Sequence, residues 1–187
     1  MPHIHTEAGH HDHTVSFFIV RTDFDEPKLT YHVHRKTGNL SMFGGHVELD
    51  ETPWQSMLHE ITEESGFDHD QLQILQPIER LKSVSGVVTH PQPVYVHTGQ
   101  FPIQPPHYHT DMMYALVANE APRQAPLEGE STDIRFFTLE ELAQVADEEI
   151  FEAWREIGAY ILQEVFPTWE HLPLSTFDHT GANYDAS

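Results

Sequence analysis

Three glutamates near the middle of the chain carry the clearest signal of chemistry. Glu60, Glu63 and Glu64 lie in the segment LHEITEESGF. Residues three and four apart share one face of a helix, so these carboxylates would repel each other by roughly a few tenths of a kcal/mol per pair. They would also lie near the C-terminus of the helix, where its dipole favours cations. A divalent cation would remove both penalties, and carboxylate oxygens suit Mg²⁺ or Mn²⁺.

The helix that positions these carboxylates has clear start and stop signals. Thr52 suits the N-cap, Pro53 suits the first helical position, and Gln55 can complete a capping box. Gly66 suits the C-terminal stop, which predicts a helix over 53–65. Its apolar residues recur at helical spacing and should face the core: Trp54, Met57, Leu58 and Ile61. A solvated acidic helix end would show the same triplet of glutamates, so the triplet alone leaves both interpretations open.

The residues before the helix add a second, spaced pattern. Gly45 is followed after five residues by Glu51, and seven further residues lead to His59 and the glutamates. The whole stretch, from Gly45 to Phe67, resembles the Nudix box of the Nudix hydrolases. Every fixed position of that box is matched except one, because His59 occupies the place of an arginine. A late segment, DIRFFTLEEL, is similar to the strand and helix that commonly close this domain.

The resemblance implies both a fold and an activity. The fold is α/β, a Nudix-type α/β/α sandwich with a mixed β-sheet. The activity is hydrolysis of a diphosphate linkage in a nucleoside-diphosphate-type small molecule, with Mg²⁺ or Mn²⁺ as cofactor. Glu63 and Glu64 would be the principal metal ligands, and Glu60 a further ligand or the base that orients water. The Gly45 carbonyl would be another ligand, and Glu51 would support the loop–helix geometry.

His59 is the one departure from the family pattern and leaves two interpretations open. In the family the arginine pairs with carboxylates of the box and holds the catalytic glutamate in place. Histidine cannot reproduce the permanent charge and planar fork of arginine. His59 either orients a carboxylate less strongly in an active enzyme, or the chain is a catalytically weakened module that binds a nucleotide-like ligand.

Histidines are abundant elsewhere in the chain, which contains 16. His107, His109 and Asp111 alternate and would project from one face of a strand. By resemblance to bacterial Nudix proteins, His46, His107 and His109 would line the substrate cleft and contact phosphate or an extra metal. A solvent-exposed polar face is the alternative for the strand. A histidine-rich metal-binding protein is a third interpretation of the chain.

Two weaker signals lie nearer the ends of the chain. Glu130 precedes the last strand and is a candidate acid for the site, since the family often supplies one from such a loop. His10, His11 and His13 with Asp12 could bind metal, but the segment is more typical of a mobile polar arm.

The remaining elements follow from periodicity and turn residues. Strands are predicted over 13–22, 28–35, 78–88, 93–101, 108–118 and 134–137. Thr138 would cap a short helix to about Val145, and a longer helix would span Glu148 to Phe166, ended by Pro167. Trp154 and Tyr160 on that helix are predicted to be core residues. The predicted organisation is a His-rich arm over 1–12, the Nudix domain over 13–147, and the C-terminal helix and tail over 148–187, with the tail beginning near Leu172.

Composition limits the function classes. The formal net charge is −21, which disfavours nucleic-acid binding and means that an anionic small molecule needs a bridging cation. The absence of cysteine excludes disulfides, thiolate zinc sites and cysteine nucleophiles. The sequence shows neither a long apolar run nor a signal peptide, so we expect a cytoplasmic protein that does not bind membranes. We expect a small-molecule phosphoanhydride as its partner, and a homodimer is common in the family.

Overall fold

A computed structural model describes residues 7–101 and 106–177. Within them, nine strands join in one sheet. The strands are β1 His11–Arg21, β2 Lys28–Val33, β3 Leu40–Ser41, β4 Phe43–His46, β5 Leu72–Gln76, β6 Tyr95–Phe101, β7 His107–Ala118, β8 Ile134–Phe137 and β9 Glu170–Pro173. The helices are α1 Pro53–Glu60, α2 Leu139–Ala143, α3 Glu152–Tyr160 and the single turn α4 Phe166–Thr168.

The sheet is mixed and centres on the parallel pair β1 and β7. Their register aligns Asp12 with His109 and continues to Arg21 opposite Ala118. β4 pairs with the first half of β1, and β2 pairs with its end. β4 and β2 therefore follow one another along the edge of β1 that does not pair with β7, with a gap beside β4. The candidate functional residues line this gap.

Two apolar clusters cover the two faces of the sheet. On one face, α1 packs Trp54 and Met57 against Val15 and Phe17 of β1. The opposite face is covered by α2, α3 and the wide turn that continues α3 over Ile161–Val165. This arrangement confirms the predicted α/β/α sandwich. No helix among the described residues is long and apolar enough to span a membrane.

The start and end of α1 confirm the sequence prediction in detail. Thr52 and Gln55 form a reciprocal capping box, and all four predicted core residues of the helix are buried. The last turn, Ile61–Ser65, is widened to a π-helix, and Gly66 ends it in the left-handed conformation at φ 72°. π-Helical turns are frequent at functional sites.

Several predicted elements are wrong in position. The predicted strand 78–88 is irregular, with Ile78, Leu81 and Val87 exposed, and the strand lies earlier, in β5. The apolar residues of that segment do not alternate strictly, and Gly86 adopts φ 80°. The predicted tail is also wrong at its start, because β9 pairs with β5 and Leu174 is buried beneath the sheet.

The C-terminal helix also differs from its prediction. It begins at Glu152 rather than Glu148, and Pro167 lies inside α4 rather than ending the helix. Trp154 packs against the core as predicted, but Tyr160 is 48% exposed, so its assignment to the core is wrong. β1 begins two residues before its predicted start, which places Asp12 within the sheet.

Candidate active site

A cleft of about 390 Å³ opens beside β4 and contains most of the residues singled out in the sequence. Its walls come from β1, β2, β4, the widened end of α1 and the loop before β8. Of the predicted site residues, it brings together Gly45, His46, Glu60, Glu63, Glu64, His109 and Glu130. Residues more than 80 positions apart in the chain thus share one concave surface that carries several carboxylates.

Glu60 lies directly over Gly45. A Cβ atom built on Gly45 would stand 1.9 Å from Glu60 Oε1, so only glycine leaves room for this carboxylate. Glu60 is 3% exposed, and its Oε1 atom has no hydrogen-bond partner among the described residues. Burial, followed by the charges of Glu63 and Glu130, raises the pKa of Glu60 to about 7.

Glu64 is anchored to the glycine pair. Its Oε2 atom accepts a hydrogen bond of 2.7 Å from the Gly44 backbone N–H. Burial is the main cause that raises the pKa of Glu64 to about 8, and the neighbouring Glu60 and Glu130 carboxylates add to it. A buried and a partly buried carboxylate with raised pKa values in one cleft form an electrostatic arrangement that a cation would relieve.

The donor set matches a hard divalent cation. Carboxylate oxygens with a backbone carbonyl nearby are the ligands that Mg²⁺ and Mn²⁺ prefer. The partnerless Oε1 atom of Glu60 gives independent structural support, because a buried carboxylate oxygen is costly unless it is paired or bound to metal. The residues present therefore fit the metal that the sequence predicted.

His59 does not lie in this cleft. Its side chain is 66% exposed, and its Nδ1 atom is 2.5 Å from Glu51 Oε1. Both residues line a separate surface depression with His69 and Leu174. The histidine thus contacts a carboxylate of the box, but that carboxylate is Glu51 rather than Glu63.

The histidine motif on β7 is divided between two environments. Asp111 accepts hydrogen bonds from Thr14 Oγ1 at 2.7 Å and Ser16 Oγ at 2.5 Å, so it belongs to a buried polar network. His107 and His109 instead approach Asp12. His107 is 2% exposed and does not line the cleft, so the prediction is wrong for His107 and holds for His46 and His109. The alternative of a solvent-exposed polar face does not hold for this strand, because His107 and Asp111 are buried.

Two cationic residues of the cleft were missed in the sequence. Arg35 and Lys36 lie at its rim, and Arg35 donates a hydrogen bond to the Gly129 carbonyl. They are two of only nine basic residues in the chain. Arg35 ends the predicted strand KLTYHVHR and Lys36 begins the predicted turn KTGN, and no local signal indicates that either residue reaches the cleft of the glutamates.

His32, also unmarked by the sequence, is buried against the cleft. It is 4% exposed, and burial is the main cause that lowers its pKa to about 4. The imidazole is therefore neutral at physiological pH and contributes shape and hydrogen-bonding capacity to the cleft wall rather than charge.

Comparison with known proteins gives a consistent result. A family model described as a NUDIX domain matches residues 12–159. A crystal structure of a NUDIX-family hydrolase from Clostridium perfringens is similar at 28% identity with a TM-score of 0.66, covering 81% of this chain and 95% of that one. An Ap4A hydrolase from C. elegans is similar at 16% identity with a TM-score of 0.54, covering 79% and 92%. The search of curated proteins found no match.

Proposed function

Because the chain belongs to the Nudix family and is a Nudix-type pyrophosphohydrolase, we propose that it cleaves a diphosphate linkage in a nucleoside-diphosphate-type small molecule. The proposal includes Mg²⁺ or Mn²⁺ as cofactor, with Glu60, Glu63 and Glu64 as the carboxylate ligands. The observation that carries it is the buried Glu60 Oε1 atom, held over Gly45 without a partner among the described residues.

Each glutamate has a role that its position supports. Glu64 Oε2 is held by the Gly44 N–H, so the carboxylate is oriented in the cleft that it lines. Glu60 has a pKa of about 7 in the protein alone, which suits a carboxylate that accepts a proton from water near neutral pH. Glu60 is therefore either a further ligand or the base, and Glu63 lies beside both on the same wall.

The rim cations support an anionic substrate. Arg35 and Lys36 line the same cleft as the three glutamates, where they would contact phosphate oxygens. When bound, divalent metal would neutralise phosphate charge and lower the pKa of a bound water. Together these groups give a protein of net charge −21 a way to hold a diphosphate.

A second candidate function is favoured by one observation. His59 stands where the box has arginine and contacts Glu51 from an exposed position. A weakened module that binds a nucleotide-like ligand without turnover would retain the cleft but lack the permanent charge of arginine at this place.

A substrate panel distinguishes the two functions. Phosphate-containing products would be measured from a set of nucleoside-diphosphate compounds with Mg²⁺ and with Mn²⁺, for the wild type, Glu63→Gln and Glu64→Gln. We expect turnover of at least one compound, lost in both variants and kept in Glu140→Gln, a matched change at an exposed glutamate on α2. Binding without turnover would favour the weakened module that binds a nucleotide-like ligand. Unchanged product formation in both variants would rule out a mechanism that uses Glu63 and Glu64.

A further inference from the structure

A second group of metal-ligating side chains lies where β1 and β7 begin. It consists of Asp12, His107 and His109, whose ligand atoms all lie within 4.8 Å of one another. We call it the histidine cluster. His46 adjoins it, with its Nε2 atom 3.7 Å from Asp12 Oδ2. The hydrolytic role proposed above uses none of the three residues of the cluster as a ligand.

The parallel pairing of the two strands creates this cluster. Asp12 on β1 is aligned with His109 on β7, and His107 lies two residues earlier on the same face. β4 pairs on the other side of β1, with His46 aligned to Thr14. Rigid strands therefore position every donor, which is the kind of support that a metal site requires.

The separations between donor atoms match a tetrahedral site. With metal–ligand bonds of roughly 2.0–2.1 Å, neighbouring donors of a tetrahedron stand about 3.3–3.4 Å apart. The His107 and His109 Nε2 atoms are 3.1 Å apart, and Asp12 Oδ2 is 3.8 Å from His107 Nε2. His46 Nε2 is 3.7 Å from Asp12 Oδ2, and its ring centroid is 4.9 Å from that of His109, so His46 adjoins the three donors as the candidate for a fourth position.

Burial and donor chemistry narrow the kind of ion. The Asp12 and His107 side chains are 1% and 3% exposed, and His46 is 12% exposed. Imidazole nitrogens with one carboxylate suit Zn²⁺ and similar transition metals, whereas Mg²⁺ prefers an all-oxygen shell. The two clusters of this protein should therefore select different metals.

We infer that Asp12, His107 and His109, with His46 as the fourth donor, form a binding site for Zn²⁺ or a similar transition metal that is distinct from the carboxylate site. The metal would tie the first residues of β1 to the first residues of β7. Because His46 and His109 also line the cleft, this site would lie at its inner end. The inference does not depend on the proposed hydrolysis.

Cobalt spectroscopy tests the inference directly. Metal-free protein would be titrated with Co²⁺ in the presence of excess Mg²⁺, which fills the carboxylate site, and the visible d–d bands of four-coordinate Co²⁺ would be recorded. We expect one Co²⁺ per chain, displaced by Zn²⁺, with affinity lowered at least about tenfold by His109→Gln or Asp12→Asn. His109 is only partly buried, so the His109→Gln variant should fold, and circular dichroism would confirm it.

Two controls separate the site from other binding. A variant with His3, His5 and His10 all changed to Gln tests adventitious binding near the N-terminus, and we expect its spectrum to match the wild type. Glu63→Gln should lose hydrolysis yet keep the cobalt spectrum, so failure of one proposal is distinguishable from failure of the other. A spectrum retained in both Asp12→Asn and His109→Gln, or lost only in the triple histidine variant, would overturn the inference.

Discussion

The carboxylate cluster and the histidine cluster occupy one cleft region but are built in opposite ways. Glu60, Glu63 and Glu64 come from two consecutive turns at the end of α1 and are neighbours in the sequence. The histidine cluster joins Asp12 to His107, from strands that begin almost a hundred residues apart. The first offers hard oxygen donors on a helix, and the second offers mainly nitrogen donors on a sheet. The comparison suggests two sites with separate metals and separate sequence signals.

The largest effect should come from removing one carboxylate of the helix. Glu64→Gln keeps the size of the side chain but removes its charge, so both metal affinity and alignment of water should suffer. We expect kcat to fall at least about a hundredfold at saturating Mg²⁺. The decrease in kcat would be measured by steady-state kinetics with the compound that the substrate panel identifies.

The matched control for Glu64→Gln is Glu140→Gln, an exposed glutamate on α2. It changes the net charge equally without touching the cleft, so its kcat should equal that of the wild type. An equal decrease in both variants would mean that overall charge, rather than the carboxylate cluster, governs the rate.

This difference between the clusters also explains what the sequence could predict. A helix repeats every few residues, so Glu60, Glu63 and Glu64 could be placed on one face from their spacing alone. Thr52, Gln55 and Gly66 marked the helix ends because capping depends on local residue types. The sandwich itself followed from the resemblance of the box, and the family model covering residues 12–159 confirms it.

Residues joined by strand pairing gave no comparable signal. Asp12 was assigned to a loose arm because nothing local shows that it aligns with His109 across a parallel pair. Asp111 was grouped with the β7 histidines by alternation, but Thr14 and Ser16 on β1 bind it instead. Arg35 and Lys36 lie in the connection between β2 and β3, which brings them to the cleft of the carboxylates. Register and loop direction are set by tertiary packing, which spacing does not encode.

A smaller effect on kcat should follow from displacing a carboxylate of the cluster than from removing its charge. In Gly45→Ala the new Cβ would stand 1.9 Å from Glu60 Oε1, so the carboxylate must move. We expect kcat to fall about tenfold to a hundredfold, since displacements near 1 Å are costly in catalysis. Gly99→Ala on β6 is the matched control, because its Cβ meets nothing within 4 Å. A normal kcat in Gly45→Ala would show that the position of Glu60 is not critical.

The carboxylate cluster should also make the metal-free protein sensitive to pH. The pKa values of Glu60 and Glu64, about 7 and about 8, are raised from the ordinary 4.5. The folded state therefore binds these two protons more tightly than the unfolded chain does. The resulting contribution to the free energy of unfolding is fully present below about pH 4.5 and is lost as pH rises through 7 and 8. We expect Tm of chelator-treated protein to fall over that range and to be restored by Mg²⁺ at pH 8.

The net negative charge of the chain would also lower Tm as pH rises, so the test must compare the dependence of Tm on pH between variants. Glu64→Gln should flatten the dependence of Tm on pH, whereas Glu140→Gln should leave its slope close to that of the wild type. Equal slopes in all three proteins would assign the effect to net charge alone, and the carboxylate cluster would then differ little from any other acidic surface.

The smallest effect concerns His59, which lies outside both clusters and contacts Glu51. Histidine changes charge near neutral pH, whereas arginine stays charged, so His59→Arg should make the Glu51 contact permanent. We expect a change of a few fold in kcat and a rate that depends less on pH between about 6 and 8, with the same metal in both proteins. His171→Arg, at an exposed histidine on β9, is the control. His59 lies outside the cleft, so any effect on the carboxylates must pass through Glu51 or α1. Identical pH–rate profiles for the wild type and His59→Arg would mean that having histidine rather than arginine at this position has no effect on the carboxylates.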